Sequence, residues 1–364
     1  MDGDGVSLAE RLRSTIASGG PIPFARFMEA ALYDPDEGFY EQRRIGERAD
    51  FVTSPHVSPA FGELLARQIE EYRELLGDPA SFTVVEAGAG DGTLARQLME
   101  RLPERAGRRV RYIAIERSSH YREQLRAIPG LEVAGSLRSF GRIESGCLIA
   151  NEVLDNLPFA RLRHVARGWA ELFVGMDGAG RFVLVEGSPS SPSLLAHLRH
   201  APPGTEVAVS LAAFDFLDAL ASLFRRGYAL LIDYGYRGAS ERATPVHGYR
   251  THTIDLEVLD APGARDITAG IDVDALAAHA RARGLAVFGP VTQRDGLLAL
   301  GFAELDEAGR RRQVEAIDAR RGIESVRIFS NRNRARQLIA NEGLGGFWFL
   351  GLGIGTDARP RAFR

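Results

Sequence analysis

The sequence predicts an α/β protein: a doubly wound, Rossmann-like sheet of seven strands with helices on both faces, an N-terminal helical cap and β-rich insertions. Three observations predict it. From Phe82 onward, short apolar runs alternate with helical segments, the pattern of a parallel sheet flanked by helices. The run Val84-Val85-Glu86-Ala87-Gly88-Ala89-Gly90-Asp91-Gly92-Thr93-Leu94 leads from a strand through a glycine-rich turn into a helix. With 364 residues, 45% of them hydrophobic and 26% charged, the chain is long enough for one sizeable core carrying insertions.

Residues 6 to 17 and 59 to 76 have helical apolar spacing, and the second opens on Ser58-Pro59, a capping residue followed by proline in the first turn. A Gly- and Pro-rich stretch separates them. Residues 1–80 are expected to form the cap and 81–364 the sheet domain. Its strands are expected at Phe82–Ala87, Val110–Glu116, Leu131–Val133, Gly146–Asn151, Tyr228–Asp233, Leu285–Phe288 and Phe347–Gly351. Two insertions, at about 159–210 and 237–270, interrupt the alternation. The first reads as antiparallel strands at Arg161–Val165, Trp169–Val174 and Arg181–Glu186 with turns such as Asp177-Gly178. Both are expected over the sheet's carboxyl edge, where open α/β sheets bind ligands.

Composition narrows the function. A net charge of −3 and a pI near 6.3 lack the basic footprint of a nucleic-acid binder, so no nucleic acid is expected as a partner. Cys147, the single cysteine, lies in an apolar run and reads as a core thiol. The acidic start Met1-Asp2-Gly3-Asp4 lacks the features of a signal peptide, and no apolar run reaches the roughly 18 residues of a membrane span. A cytoplasmic protein that uses no membrane is the expectation. All 45 basic residues other than histidine are arginine, which carries no mechanism. His56, His164, His247 and His252 lack metal-ligand spacing, and no metal is expected. The runs Arg310-Arg311-Arg312 and Arg320-Arg321 read as solvated helix faces.

The glycine turn carries the chemistry. A dinucleotide fingerprint reads Gly-x-Gly-x-x-Gly, whereas this turn reads Glu-x-Gly-x-Gly-x-Gly. Glu86 repels a pyrophosphate but favours a ligand with a cationic aminopropyl sulfonium arm, which points to S-adenosyl-L-methionine on Glu86, Gly88, Ala89, Gly90 and Gly92. Glu116, at the end of the second strand, is placed to accept both ribose hydroxyls. The fourth strand runs into Asn151-Glu152-Val153-Leu154-Asp155-Asn156-Leu157-Pro158. Methyl transfer needs a lone pair in line with the methyl group, and carboxylates can hold and orient a guanidinium. Glu152 is therefore the expected principal orienting carboxylate, with Asp155 as helper and Asn151 beside them. Asp155 or Asn156 serving only as a helix N-cap is the plainer alternative. Asp233-Tyr234-Gly235 either lines the pocket or forms a turn.

With these residues in place, the chain resembles the MidA-like methyltransferases, a family that includes a mitochondrial complex I assembly factor methylating arginine. The resemblance rests on Pro21-Ile22-Pro23-Phe24 with Met28, Tyr33-Asp34-Pro35-Asp36-Glu37-Gly38-Phe39-Tyr40, Asp50-Phe51-Val52-Thr53-Ser54-Pro55 and Phe61-Gly62-Glu63. It continues through the glycine turn, the 151–158 segment, Gly168-Trp169, Asp233-Tyr234-Gly235, Pro262-Gly263 and Asp266-Ile267-Thr268-Ala269. It implies a seven-stranded class I methyltransferase sheet and a cap folded over the cofactor. It also implies that Thr53, Ser54, Pro55, Ser136 and Leu137 adjoin the cofactor and that Asn151, Glu152 and Asp155 face the acceptor. The chain departs from the family at His56, where a Glu is usual, and at Asp91, where an Arg is usual. Ala49 replaces a Gly, and Val133-Ala134 replace a Trp-His pair.

The resulting expectation is direct methyl transfer from S-adenosyl-L-methionine to a nucleophile, with an arginine nitrogen of a protein as first choice. A small-molecule O- or N-methyltransferase and a non-catalytic nucleoside-binding assembly factor are the alternatives. The glycine spacing disfavours a nicotinamide oxidoreductase. The partner is a protein or small-molecule methyl acceptor, and a homodimer stays open.

Overall fold

The computed structural model describes residues 6–42, 53–102, 110–198, 201–238, 246–250, 253–255 and 257–364. Asp50-Phe51-Val52, Ala49 and His252, singled out above, lie outside the described residues.

All seven expected strands form one sheet. They are β1 Thr83–Ala87, β2 Arg111–Ile115, β3 Leu131–Ala134, β4 Ile143–Asn151, β5 Phe224–Asp233, β6 Ala286–Thr292 and β7 Trp348–Ile354. Their order is β6-β7-β5-β4-β1-β2-β3. β7 runs antiparallel to both neighbours and the other pairings are parallel. The chain order reverses between β1 and β4, so the carboxyl ends of these two strands flank the crevice where such sheets bind ligands.

Alternation along the strands explains the two covered faces. Val84, Tyr112, Cys147, Ile149, Tyr228, Leu230 and Ile232 point to one face, where helix Ala60–Leu75 supplies Phe61, Leu65 and Ile69. Val85, Ile113, Leu148, Ala150, Ala229 and Leu231 point to the other, against Leu217 and Leu220 of helix Leu211–Leu223 and Leu276 of helix Val273–Ala282. A strand buried on both faces reads as a continuous apolar run, which is why β1, β4 and β5 were legible without periodicity. Cys147 is fully buried, and burial pushes its thiol pKa up, consistent with a core role.

The cap is tied to both insertions. Helix Leu8–Gly19 begins with a capping box in which Ser7 and Glu10 bond each other's backbone amides. It packs with helix Phe24–Tyr33 into a third cluster that includes Phe159, Val174 and Phe182 of the first insertion and Val258 and Ile267 of the second. Ile22 and Pro23 add an edge strand to Gly168–Met176 of the first insertion. That insertion forms the expected antiparallel sheet from Ala160–Val165, Gly168–Met176 and Phe182–Gly187, with Glu206–Val209 as a further strand. In the second, Asp266–Thr268 pairs with His247–Arg250 and Asp266 bonds Asn156 beyond the carboxyl end of β4.

Arg310-Arg311-Arg312 lie on the long helix Phe302–Asp318, where Arg310 pairs with Glu307, whereas Arg320-Arg321, expected on a helix face, form the turn before helix Gly322–Gln337, with Arg321 as its N-cap paired to Glu324. No described helix is long and apolar enough to cross a membrane.

Candidate active site

The turn after β1 is built to leave its backbone open. Gly88, Gly90 and Gly92 have φ of +67°, +52° and +78°, a region that side-chain-bearing residues rarely adopt. A Cβ on Gly88 would lie 2.5 Å from Val153 Cγ2, so glycine there also lets the 151–157 loop close against the turn. The amides of Gly88 and Ala89 donate to the Ile115 carbonyl, and that of Gly90 to Glu116 Oε2 at 2.8 Å. Glu116 Oε1 accepts from the Ser118 amide. The two strand tips are thereby locked together, and burial raises the Glu116 carboxyl above its ordinary pKa.

This turn borders a cavity of about 330 Å³. Thr53, Pro55, Glu86, Gly88, Ala89, Gly90, Glu116, Ser136, Leu137, Asn151 and Glu152 line it, so most of the expected residues converge on one space. Three expected residues do not line it. Gly92 is the N-cap of helix Thr93–Met99. Ser54 is buried behind the wall, its Oγ on Gln293 Oε1, and reaches the site through its amide, which donates to Glu152 Oε1 at 3.1 Å. Asp155 turns away from the cavity, and its Oδ2 accepts from Thr268 Oγ1 at 2.6 Å.

The lining suits the ligand that the glycine spacing implies. Glu86 is buried at the strand end, holds the Tyr112 hydroxyl at 2.7 Å, and has its pKa raised to about 8 by burial. A buried carboxyl with no cation of its own is relieved by a ligand ammonium group. At the other end Tyr33, Tyr40, Tyr121 and Leu137 offer apolar walls beside Glu116.

Beyond β4 the backbone is strained where the chemistry is expected. Glu152 has φ +55°, uncommon for a residue with a Cβ, and its amide is held by the Ile232 carbonyl. Its Oε1 accepts from Asn151 Nδ2 at 2.9 Å as well as from Ser54. Burial raises its pKa to about 7, opposed by these hydrogen bonds, and nearby Asp155 adds to the rise. Asn151 Oδ1 and Asp155 Oδ1 are buried acceptors with no donor among the described residues. The N-cap alternative for Asp155 and Asn156 fails, because residues 152–157 form turns and not a helix.

Sequence reasoning missed the residues that set this loop. Asp233 is neither a lining residue nor a simple turn: its Oδ2 accepts from the amides of Val153, Leu154 and Asp155, and its Oδ1 from that of Tyr234. Asp266 Oδ1 accepts from the Tyr40 hydroxyl and from Asn156 Nδ2, joining cap, insertion and loop, and burial raises its pKa to about 8. Only their placement at a strand end and in a quoted motif marked them. His56 and Asp91, noted above as separate departures, meet each other across the cavity wall at 3.1 Å.

Comparisons with known proteins agree with this geometry. A family model for S-adenosyl-L-methionine-dependent methyltransferases matches residues 64–291. The chain is 30% identical over 325 residues to the mitochondrial protein arginine methyltransferase NDUFAF7 homolog of Drosophila melanogaster, covering 79% of this chain and 73% of that one. It is 30% identical over 345 residues to mitochondrial NDUFAF7 of Mus musculus, covering 83% and 77%. A crystal structure of a Burkholderia thailandensis protein bound to S-adenosyl-homocysteine superposes with a TM-score of 0.83 at 29% identity, covering 98% of this chain and 94% of that one. The curated relatives are named as mitochondrial proteins, which overturns the cytoplasmic expectation drawn from the N-terminal residues.

Proposed function

The chain belongs to the MidA-like S-adenosyl-L-methionine-dependent methyltransferases, and from that premise we propose that it methylates a guanidinium nitrogen of an arginine in a protein. The observation that carries this reading is Glu152, a cavity-lining carboxyl held in place by the Ser54 amide and Asn151 Nδ2, beside Asn151 Oδ1, a buried acceptor with no donor among the described residues. Burial raises the pKa of Glu152, and nearby Asp155 adds to the rise. A guanidinium is a cation with five N–H donors and no acceptor, the complement of such a pair. The names of the NDUFAF7 relatives support the same acceptor.

In this reading the glycine turn and Glu86 hold the amino-acid end of the cofactor, and Glu116 the ribose, with Tyr33, Tyr40, Ser136 and Leu137 around the nucleoside. Bound S-adenosyl-L-methionine supplies an electrophilic methyl group on its sulfonium. Glu152 orients the guanidinium and accepts the proton that the nitrogen gives up on methylation. The amide of Ser54 and the side chain of Asn151 fix Glu152 Oε1, while Asp233 fixes the loop beneath it. Rate enhancement comes from positioning.

The test is methyl transfer from labelled cofactor to arginine-containing proteins and, separately, to small-molecule extracts. Glu152→Gln is expected to lower kcat by about 100-fold or more, as for loss of a general base, while cofactor affinity is kept. For the intact enzyme kcat/KM should fall as pH drops below about 7, where Glu152 becomes protonated. Label found only in small molecules overturns the arginine acceptor; full turnover by Glu152→Gln overturns the role of Glu152.

A further inference from the structure

His56 and Asp91 are joined with more care than two surface side chains need. His56 Nε2 faces Asp91 Oδ2 at 3.1 Å, and His56 Nδ1 faces Thr53 Oγ1 at 2.8 Å. A hydroxyl can accept as well as donate, so both ring nitrogens find partners when both carry protons. The segment bearing His56 is pinned independently: Gln97 Nε2 donates to the Pro55 carbonyl at 2.8 Å, and the Ser54 amide to Glu152. Burial opposes ionisation of Asp91, but hydrogen bonds from His56 and the Thr93 amide outweigh it and hold its pKa below the ordinary value.

The charge around the cavity is uneven. Of the lining residues, His56, Arg117 and Arg138 can be cationic. Arg117 follows Glu116 in the chain and lies over the Tyr33 ring, and Arg138 follows the Ser136-Leu137 wall. Both belong to the nucleoside end. At the glycine turn three carboxyls line the space, Glu86, Asp91 and Glu152. Arg96 reaches only the Asp91 carbonyl from outside and is not part of the lining. Among the described residues, His56 is therefore the lining side chain there that can carry a positive charge. An amino acid bears both an ammonium group and a carboxylate; Glu86 serves the first, and acids repel the second.

We propose that His56, held at Nε2 by Asp91, binds the α-carboxylate of the cofactor through Nδ1, with the ligand taking the place of Thr53 Oγ1, and that Asp91 is its positioning residue. The proposal rests on the cofactor orientation given above, with the amino-acid end at the glycine turn. The groups facing His56 are Thr53 on its own segment, Asp91 from the glycine turn and Glu152, whose titration its charge influences, from the loop after β4.

Calorimetry with two ligands tests it: S-adenosyl-L-homocysteine, which has the carboxylate, and 5′-methylthioadenosine, which lacks the amino-acid group. With the wild-type chain, both ligands should bind. His56→Gln should weaken the first ligand by about tenfold to a hundredfold, as loss of a hydrogen bond to a charged group implies, and leave the second unchanged, which also certifies the fold. Asp91→Asn should weaken S-adenosyl-L-homocysteine and leave methylthioadenosine unchanged, as loss of the group that positions His56 implies. If His56→Gln alters neither ligand, the carboxylate role falls and the orientation stands. If it weakens both alike in a protein that melts normally, the nucleoside lies at His56 and the orientation itself falls.

Discussion

At the scale of single residues, the site is held by carboxyls whose duties differ with their contacts. Glu152 lines the cavity in a strained conformation, whereas Asp233 lies beneath it and spends its oxygens on four backbone amides. An asparagine at 233 offers one acceptor oxygen where the carboxylate offers two, so at least one buried amide loses its partner. Asp233→Asn is expected to destabilise the fold by about 1–3 kcal/mol, measured by chemical denaturation, and to lower kcat by loosening the loop that carries Glu152. Unchanged stability would mean that water replaces the carboxylate at no cost. The motif around Asp233 was legible in the sequence, but its duty was not: an acid after a strand looks the same whether it faces a ligand or gathers amides from a loop 80 residues earlier.

At the scale of elements, the glycines that matter are those where two elements meet. Gly263 has φ +89°, and a Cβ there would lie 2.1 Å from the Glu37 carbonyl, so this position lets the second insertion dock on the cap. Backbone cannot yield as a side chain can. Gly263→Val is therefore expected to push the insertion off the cap and to expose residues such as Val258 and Ile267, which share a cluster with Leu8 and Phe27. Limited proteolysis and a lowered unfolding temperature would register it; cleavage and melting like the wild type would show that the contact is dispensable. The sheet strands were readable because burial on both faces leaves plain apolar runs. Their ends were less so, since β5 begins at Phe224 and β7 runs to Ile354, where pairing to neighbours extends the strands past the most apolar residues. The edge strand Ile22–Pro23 gave no periodic signal at all, because its pairing partner is about 150 residues away in sequence.

At the scale of the whole molecule, the buried acids make stability depend on pH in a particular direction. Glu86 and Asp266 have folded pKa values of about 8 and Glu152 of about 7, against ordinary values of 4.5, 3.8 and 4.5. Between the two sets of values the folded chain holds protons that the unfolded chain has released. Stability from these groups is thus fully present below about pH 4, and it is lost as pH climbs through 7 and 8. The unfolding temperature of the ligand-free protein should fall by a few degrees from pH 6 to pH 9, since each kcal/mol is worth roughly 2–4 °C in larger domains. Glu86→Gln and Asp266→Asn remove the ionising groups while keeping their shape, so the double variant should show a flatter profile than the wild type. Profiles that stay parallel would mean that these carboxyls are already ionised in the fold. In that case the negative charge awaiting a cationic ligand would be permanent, and ligand binding would release no more protons at pH 6 than at pH 9.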